Sequence, residues 1–167
     1  MTGRVPSIDA RFNPSSAERP PLRVMFVLCS DDYFGARLIA DSRASVVLQT
    51  PGGAAAASEP HARATLEYAL LHERVRHVVV LAHQGCRFRR GTLPERPHEQ
   101  ALAQWESLVN DEFSKRLLRA HRVDVRLLCV DGTSGEVCVF RAAQQRLVPM
   151  GPGDLVRMLE SLEEATS

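Results

Sequence analysis

The stretch that decides the fold is residues 23–29, which read RVMFVLC and are apolar without interruption from Val24 to Cys29. Such a run is typical of a strand that is buried on both faces of a parallel sheet. Residues 76–82 (RHVVVLA) repeat the pattern. Further strand-like segments cover residues 44–49, 123–130 and 136–141.

Segments with helical periodicity separate these strands. They cover residues 58–73, 98–121 and 153–164, while residues 34–41 allow a short helix at best. In the first of them, Ser58 is a suitable N-cap and Pro60 falls in the first turn. Strands that alternate with helices predict an α/β domain with a mostly parallel central sheet flanked by helices. The DGTSG loop at residues 131–135 predicts a C-terminal antiparallel hairpin.

Length and composition exclude several classes of protein. The 167 residues fit one domain over 22–167, preceded by a flexible arm at residues 1–21 that is rich in Pro, Ser and Arg. A net charge of +1 and 5% aromatic residues argue against nucleic-acid binding. No apolar run approaches the roughly 20 residues of a membrane span, and the N-terminus lacks a signal sequence. We therefore expect a cytoplasmic protein whose four cysteines do not form a disulfide framework.

Two predicted strands end in residues that bind metals. Cys29 ends the first strand, and His83 and Cys86 follow the third. If these strands are neighbours, the three side chains meet at the carboxyl edge of the sheet. Two thiolates and one imidazole suit zinc, and they leave a fourth position for water or a carboxylate. The alternative from spacing alone is a buried packing cysteine and a surface-loop histidine.

At these residues the chain resembles the β-class carbonic anhydrases. VLCSDD (27–32) resembles their C-x-D-x-R motif, and AHQGC (82–86) resembles their H-x-x-C motif. TLEYA (65–69) resembles the helix of S-L-E-Y-A type that precedes the second motif, and VRLLCVDGTSGEVCVF (125–140) resembles their closing hairpin. The resemblance covers roughly residues 22–141 and implies the fold of that family.

The resemblance implies a zinc enzyme that interconverts carbon dioxide and bicarbonate. Cys29, His83 and Cys86 take the positions of the zinc ligands, and Asp31 takes that of the aspartate beside the reacting solvent. It also implies a homodimer or a higher homo-oligomer, in which the N-terminal segment embraces the neighbouring subunit.

Three departures from the family pattern surround these positions. Tyr33 replaces the motif arginine, Gln49–Gly52 replaces the R-N-A-G segment, and Arg87 replaces the glycine after the second cysteine. The pattern is compatible with a weakened or altered carbonic anhydrase, a zinc hydrolase of carbon disulfide or carbonyl sulfide, or a non-catalytic zinc-stabilised binding protein. We expect Asp31 to bind zinc as a fourth ligand and Arg37 to replace the missing arginine in part.

The remaining candidates favour structural interpretations. Cys129 and Cys138 flank the hairpin and are expected to pack against each other across the strands. The histidines outside the motif are expected to be solvated or half-buried; they are His61, His72, His77, His98 and His121. The cluster of Arg87, Phe88, Arg89 and Arg90 is expected to be a solvated loop, with attraction of a small anion as the alternative.

Overall fold

A computed structural model describes residues 22–33, 35–36, 44–53, 59–84, 86, 88, 97–131 and 134–164. Its centre is a six-stranded sheet in the order β2-β1-β3-β4-β5-β6. The strands are β1 (Leu22–Cys29), β2 (Ala44–Thr50), β3 (His77–His83), β4 (Asp124–Val130), β5 (Val137–Arg141) and β6 (Arg146–Met150). The first four pair in parallel, and β5 and β6 complete the sheet antiparallel.

Helices cover this sheet. They are α1 (Pro60–Leu71), α2 (Pro97–Asn110), α3 (Glu112–Ala120) and α4 (Pro152–Glu164). The predicted α/β architecture, with a mostly parallel sheet and antiparallel strands at its C-terminal side, is confirmed. No helix among the described residues is both long and apolar enough to cross a membrane.

The apolar run of β1 is explained by two cores, one on each face of the sheet. Met25 and Val27 belong to the core that α1, α2 and α3 cover. Phe26 and Leu28 belong to the core on the opposite face, where Leu162 of α4 is buried. Because successive side chains of a strand point to opposite faces, a strand between two cores contains no polar position.

The structure corrects the predicted helix over residues 98–121. Asp111 adopts an extended conformation (φ −61°, ψ 129°), and its side chain accepts a hydrogen bond from the Ser114 amide at 2.9 Å. It therefore ends α2 and caps α3, although the apolar periodicity continues across the break.

Other boundaries also differ from the predictions. Helix α1 begins at Pro60 with Glu59 as its N-cap residue, which makes no side-chain cap hydrogen bond. Strand β6 was not predicted, because Pro149 interrupts its short apolar pattern. Ser58, the arm at residues 1–21 and most of the segment 34–41 lie outside the described residues.

Candidate metal centre

The fold brings the ends of β1 and β3 to one edge of the sheet. These strands are parallel neighbours, with Val24 opposite His77 and Leu28 opposite Leu81. Cys29 is the last residue of β1 and His83 is the last residue of β3. The parallel register therefore places both side chains at the carboxyl edge, where open α/β sheets form their binding sites.

The structure brings Cys29, His83 and Cys86 together. Their potential ligand atoms all lie within 4.8 Å of one another. The two sulfur atoms are 3.5 Å apart; both cysteines are buried and His83 is partly buried. The neighbourhood of strands that the sequence analysis required is thus present.

The hydrogen bonding of His83 suits a metal ligand. Its Nδ1 lies 3.2 Å from the Gln84 carbonyl oxygen, to which an Nδ1–H would donate. In that tautomer Nε2 carries a lone pair, and this atom is buried without a hydrogen-bond partner among the described residues. Metal-binding histidines characteristically have one ring nitrogen held by a carbonyl in this way, with the other on the metal.

Burial and hydrogen bonding act in opposite directions on the Cys29 thiol. Burial is the main cause that raises the pKa of Cys29, and the neighbouring Cys86 raises it further. Backbone amides lower this pKa: the Asp31 amide nitrogen lies 3.3 Å from the sulfur, and the Gly52 amide acts in the same direction. A divalent cation would compensate the charge of both thiolates, and two sulfurs with one imidazole nitrogen match the preferences of zinc.

The motif residues next to Cys29 behave differently from one another. Asp31 is partly buried, and its carboxylate is not part of the group of three ligand atoms. Tyr33 is 79% exposed, so its ring extends into solvent. Arg37 and Arg87, on which two of the expectations above depend, lie outside the described residues.

Asp32 is a residue of this loop that the sequence analysis did not single out. It is only 4% exposed, and its Oδ1 accepts a hydrogen bond from the Gly35 amide at 2.7 Å. Its backbone amide also donates to the Cys29 carbonyl at 3.0 Å. Asp32 therefore caps the helical turn that follows β1; the sequence signal is an Asp three residues before a Gly, in a segment that starts a helix.

Gln104 is a second residue that the sequence analysis missed. Its amide Nε2 donates a hydrogen bond to the Gly52 carbonyl, within the short turn Pro51–Gly53 that follows β2. This turn contains Pro51 and Gly52, two of the four residues that stand in the R-N-A-G position. The two residues are about fifty positions apart in the chain, so no local sequence pattern predicts their contact.

The remaining cysteines fit the packing interpretation. Cys129 and Cys138 lie opposite each other in the β4–β5 ladder; Cys129 belongs to the core under α1, α2 and α3, and the partly buried Cys138 packs against it. Burial raises the pKa of Cys129 to about 11. Among the described histidine side chains, His61 and His72 are exposed and His121 is partly exposed.

His77 is more buried than predicted, and the cluster around Phe88 is described in part. His77 lies at the start of β3, which is the opposite end of the sheet from the candidate metal centre. Burial lowers the pKa of His77. Phe88 is 57% exposed, as expected for a solvated loop, while Arg89 and Arg90 lie outside the described residues.

Comparison with known proteins supports the fold. No protein-family profile matches the sequence, and no curated protein matches it. Among solved structures, the β-carbonic anhydrase CcaA superposes with a TM-score of 0.63 at 18% identity, over 84% of this chain and 82% of that one. CafD of Aspergillus fumigatus gives 0.58 at 16% identity, over 74% and 92%.

A third similar structure is that of a tetrameric protein. It is one of two tetrameric β-carbonic anhydrases of Sordaria macrospora, and it superposes with a TM-score of 0.55 at 15% identity, over 86% of this chain and 87% of that one. The chain therefore has the fold of the β-carbonic anhydrases, as its motifs predicted, at a low level of sequence identity.

Proposed function

We propose that this chain is a zinc-dependent protein of carbonic anhydrase type that catalyses the reversible hydration of carbon dioxide to bicarbonate, with altered or weakened activity. One observation carries the proposal: the side chains of Cys29, His83 and Cys86 meet at the carboxyl edge of a β-carbonic anhydrase-like sheet. The buried His83 Nε2, which has no hydrogen-bond partner among the described residues, supports a metal at this point.

Each residue of the proposed site has a distinct role. Bound zinc would supply a Lewis acid that makes water a nucleophile near neutral pH. The Cys29 and Cys86 thiolates would hold the metal, and the Gln84 carbonyl would fix the tautomer and orientation of His83. Two thiolates would neutralise much of the metal charge and so weaken its Lewis acidity. Backbone amides near the Cys29 sulfur would reduce this effect, because they withdraw electron density from the thiolate.

Asp31 is the proposed residue for the fourth position. It lies two residues after Cys29, and the neighbouring Tyr33 offers a neutral hydroxyl on a ring that extends into solvent. A neutral hydroxyl cannot reproduce the two charge-assisted hydrogen bonds of an arginine. We infer that the Asp31 carboxylate binds the metal near neutral pH and thereby excludes water from it. Carbon dioxide hydration should then be slow at pH 7 and should rise with pH, as hydroxide competes with the carboxylate.

Metal content and hydration rate test this proposal together. Purified protein should contain close to one equivalent of zinc, and Cys86→Ser should lose most of it. Cys138→Ser is the control, because this cysteine is partly buried in the same sheet but lies outside the metal group. Full zinc retention in Cys86→Ser would show that the assignment is wrong.

The pH dependence separates the closed site from an open one. Stopped-flow hydration of carbon dioxide should be slow at pH 7 and clearly faster near pH 9. A zinc-loaded structure at pH 7 with Asp31 beyond about 3 Å from the metal, or brisk hydration at pH 7, would contradict the role of Asp31. The same preparation should be tested with carbon disulfide and carbonyl sulfide as alternative substrates.

A non-catalytic, zinc-stabilised binding protein is the second candidate. It is favoured by two exposed aromatic side chains that follow proposed ligands closely in the sequence, Tyr33 at 79% and Phe88 at 57%. Such side chains are typical of surfaces that bind a partner. Zinc retention with no hydration at any pH would support this candidate over the enzyme.

We also infer a homodimer or higher homo-oligomer in the cytoplasm. The assembly is supported by the tetrameric state of the Sordaria macrospora proteins that share the fold. Size-exclusion chromatography with light scattering would test it, and a purely monomeric protein at micromolar concentration would refute it.

A further inference from the structure

Gln104 is a polar residue in a position that an apolar side chain would normally occupy. It lies between Ala101 and Leu108 on the buried stripe of α2, at spacings of three and four residues. Only 3% of Gln104 is exposed. Burial of an amide is unfavourable unless hydrogen bonds compensate it, so its presence here calls for a specific contact.

Gln104 contacts the turn Pro51–Gly53. Its Nε2 donates to the Gly52 carbonyl, while its Oε1 is buried without a hydrogen-bond partner among the described residues. Gly52 and Gly53 both have left-handed backbone conformations, with φ of 73° and 65°. A Cβ on Gly53 would lie 3.1 Å from Gln104 Nε2, so the turn and the side chain approach as closely as glycine permits.

This turn also packs against the strands that carry the candidate metal centre. The turn packs against β1 and β3, the two strands that end in Cys29 and His83. Just before the turn, the Thr50 carbonyl accepts a hydrogen bond from the Ser30 amide at 3.0 Å. The turn thus contacts Gln104 of α2 as well as β1 and β3.

The Gly52 amide can act on the Cys29 sulfur in this position. It acts in the same direction as the Asp31 amide, which lies 3.3 Å from that sulfur: both lower the pKa of Cys29 against the effect of burial. An N–H···S hydrogen bond withdraws electron density from a thiolate and weakens its donation to a bound metal.

We propose that Gln104 is a positioning residue that holds the Pro51–Gly53 turn so that the Gly52 amide donates to the Cys29 thiolate and sets its donor strength toward the metal. This inference rests on the proposed metal-binding function of the site. It explains why the core of α2 retains an amide whose oxygen has no described partner.

The test compares Gln104→Met with Leu108→Met in two measurements. Methionine preserves the volume of Gln104 and removes its hydrogen bond, while Leu108→Met repacks the same helix face away from the turn. In metal-free protein, exchange of the Gly52 amide hydrogen measured by NMR should become roughly five- to tenfold faster in Gln104→Met only. This reading does not depend on metal or activity.

The second measurement uses cobalt(II) as a spectroscopic substitute for zinc. Loss of an N–H···S bond raises the energy of the sulfur electrons, so the thiolate-to-cobalt charge-transfer band should move to longer wavelength in Gln104→Met. Leu108→Met should keep the wild-type band. If Gln104→Met does not fold, Gln104→Asn is the substitute, because its amide is too short by one methylene to reach Gly52.

The outcomes separate the two proposals. Wild-type exchange at Gly52 and a wild-type band in the Gln104 variant would overturn the positioning role, and so would equal changes in Leu108→Met. A protein that binds no cobalt would refute the proposed metal site and with it the effect on Cys29, while Gly52 exchange would still decide whether Gln104 holds the turn. Cobalt binding with the expected shift but no hydration would leave the positioning role intact and count against the enzyme.

Discussion

Gly35→Ala should destabilise the turn that follows β1. A methyl group at this position would lie 2.3 Å from Asp32 Oδ2 and 2.8 Å from its Cγ, which is closer than real side-chain contacts. The Asp32 side chain is buried and accepts the Gly35 amide at 2.7 Å, so it cannot move away without loss of that hydrogen bond.

The expected cost follows from these contacts. Overpacking costs about 1–3 kcal/mol and loss of the cap about 1 kcal/mol. Alanine also lowers the conformational entropy of the unfolded chain relative to glycine, which stabilises the folded protein by about 0.5–1 kcal/mol. The net loss in free energy of unfolding is therefore about 1–3.5 kcal/mol, which corresponds to a fall in Tm of roughly 2–14 °C for a domain of this size.

Denaturant unfolding of metal-free protein is the assay, with Gly151→Ala as the matched control. Gly151 has the same kind of contact, since its amide donates to Asp154 at 3.1 Å and a Cβ would lie 3.3 Å from that carboxylate. Asp154 is exposed and can adjust, so this control should change stability by less than about 0.5 kcal/mol.

A double variant identifies the cause of the loss. If the clash with Asp32 is responsible, Asp32→Ala combined with Gly35→Ala should cost less than the sum of the two single changes, by about 1 kcal/mol. Additive losses, or a Gly35→Ala protein as stable as the wild type, would refute the reasoning.

Two further predictions concern stability. Asp111→Ala should cost about 1 kcal/mol, because it removes the cap of the Ser114 amide at the start of α3; Glu112→Gln, which alters an exposed pair with Lys115, should change less than about 0.5 kcal/mol in the same denaturation assay. The pKa of Cys129 is raised from 9.0 to about 11 in the fold, so its contribution is complete below pH 9 and is lost as pH rises through 11. The free energy of unfolding should therefore fall less steeply between pH 9 and 11 in Cys129→Ala, by up to about 2–3 kcal/mol, and equal slopes would contradict this assignment.

The fold class and the candidate metal centre were readable from local patterns. Apolar runs such as Val24–Cys29 identify strands buried on both faces, since only a position between two cores excludes polar side chains. Cys29 ends one such strand, and His83 and Cys86 follow another. Because the two strands are parallel neighbours, the three residues lie at one edge of the sheet. The parallel connection of consecutive strands makes that neighbourhood common.

Boundaries and short strands were less readable. The break at Asp111 lies within continuous helical periodicity, and its decisive feature is a hydrogen bond to the Ser114 amide rather than a change in pattern. Strand β6 contains Pro149, which local rules count against a strand, but it is an edge strand where a missing donor is tolerated.

The tertiary structure alone decided which residues support the site. Gln104 reaches Gly52 only because α2 packs across the sheet. That hydrogen bond explains why a polar side chain occupies a buried position of the helix. The same holds for His83 Nε2, which is buried without a hydrogen-bond partner in the part of the chain that the structure describes. The sequence by itself determined the strands and placed the candidate ligands at their ends, because these features depend on local composition. The surrounding hydrogen bonds depend on distances between segments far apart in the chain, which only packing sets.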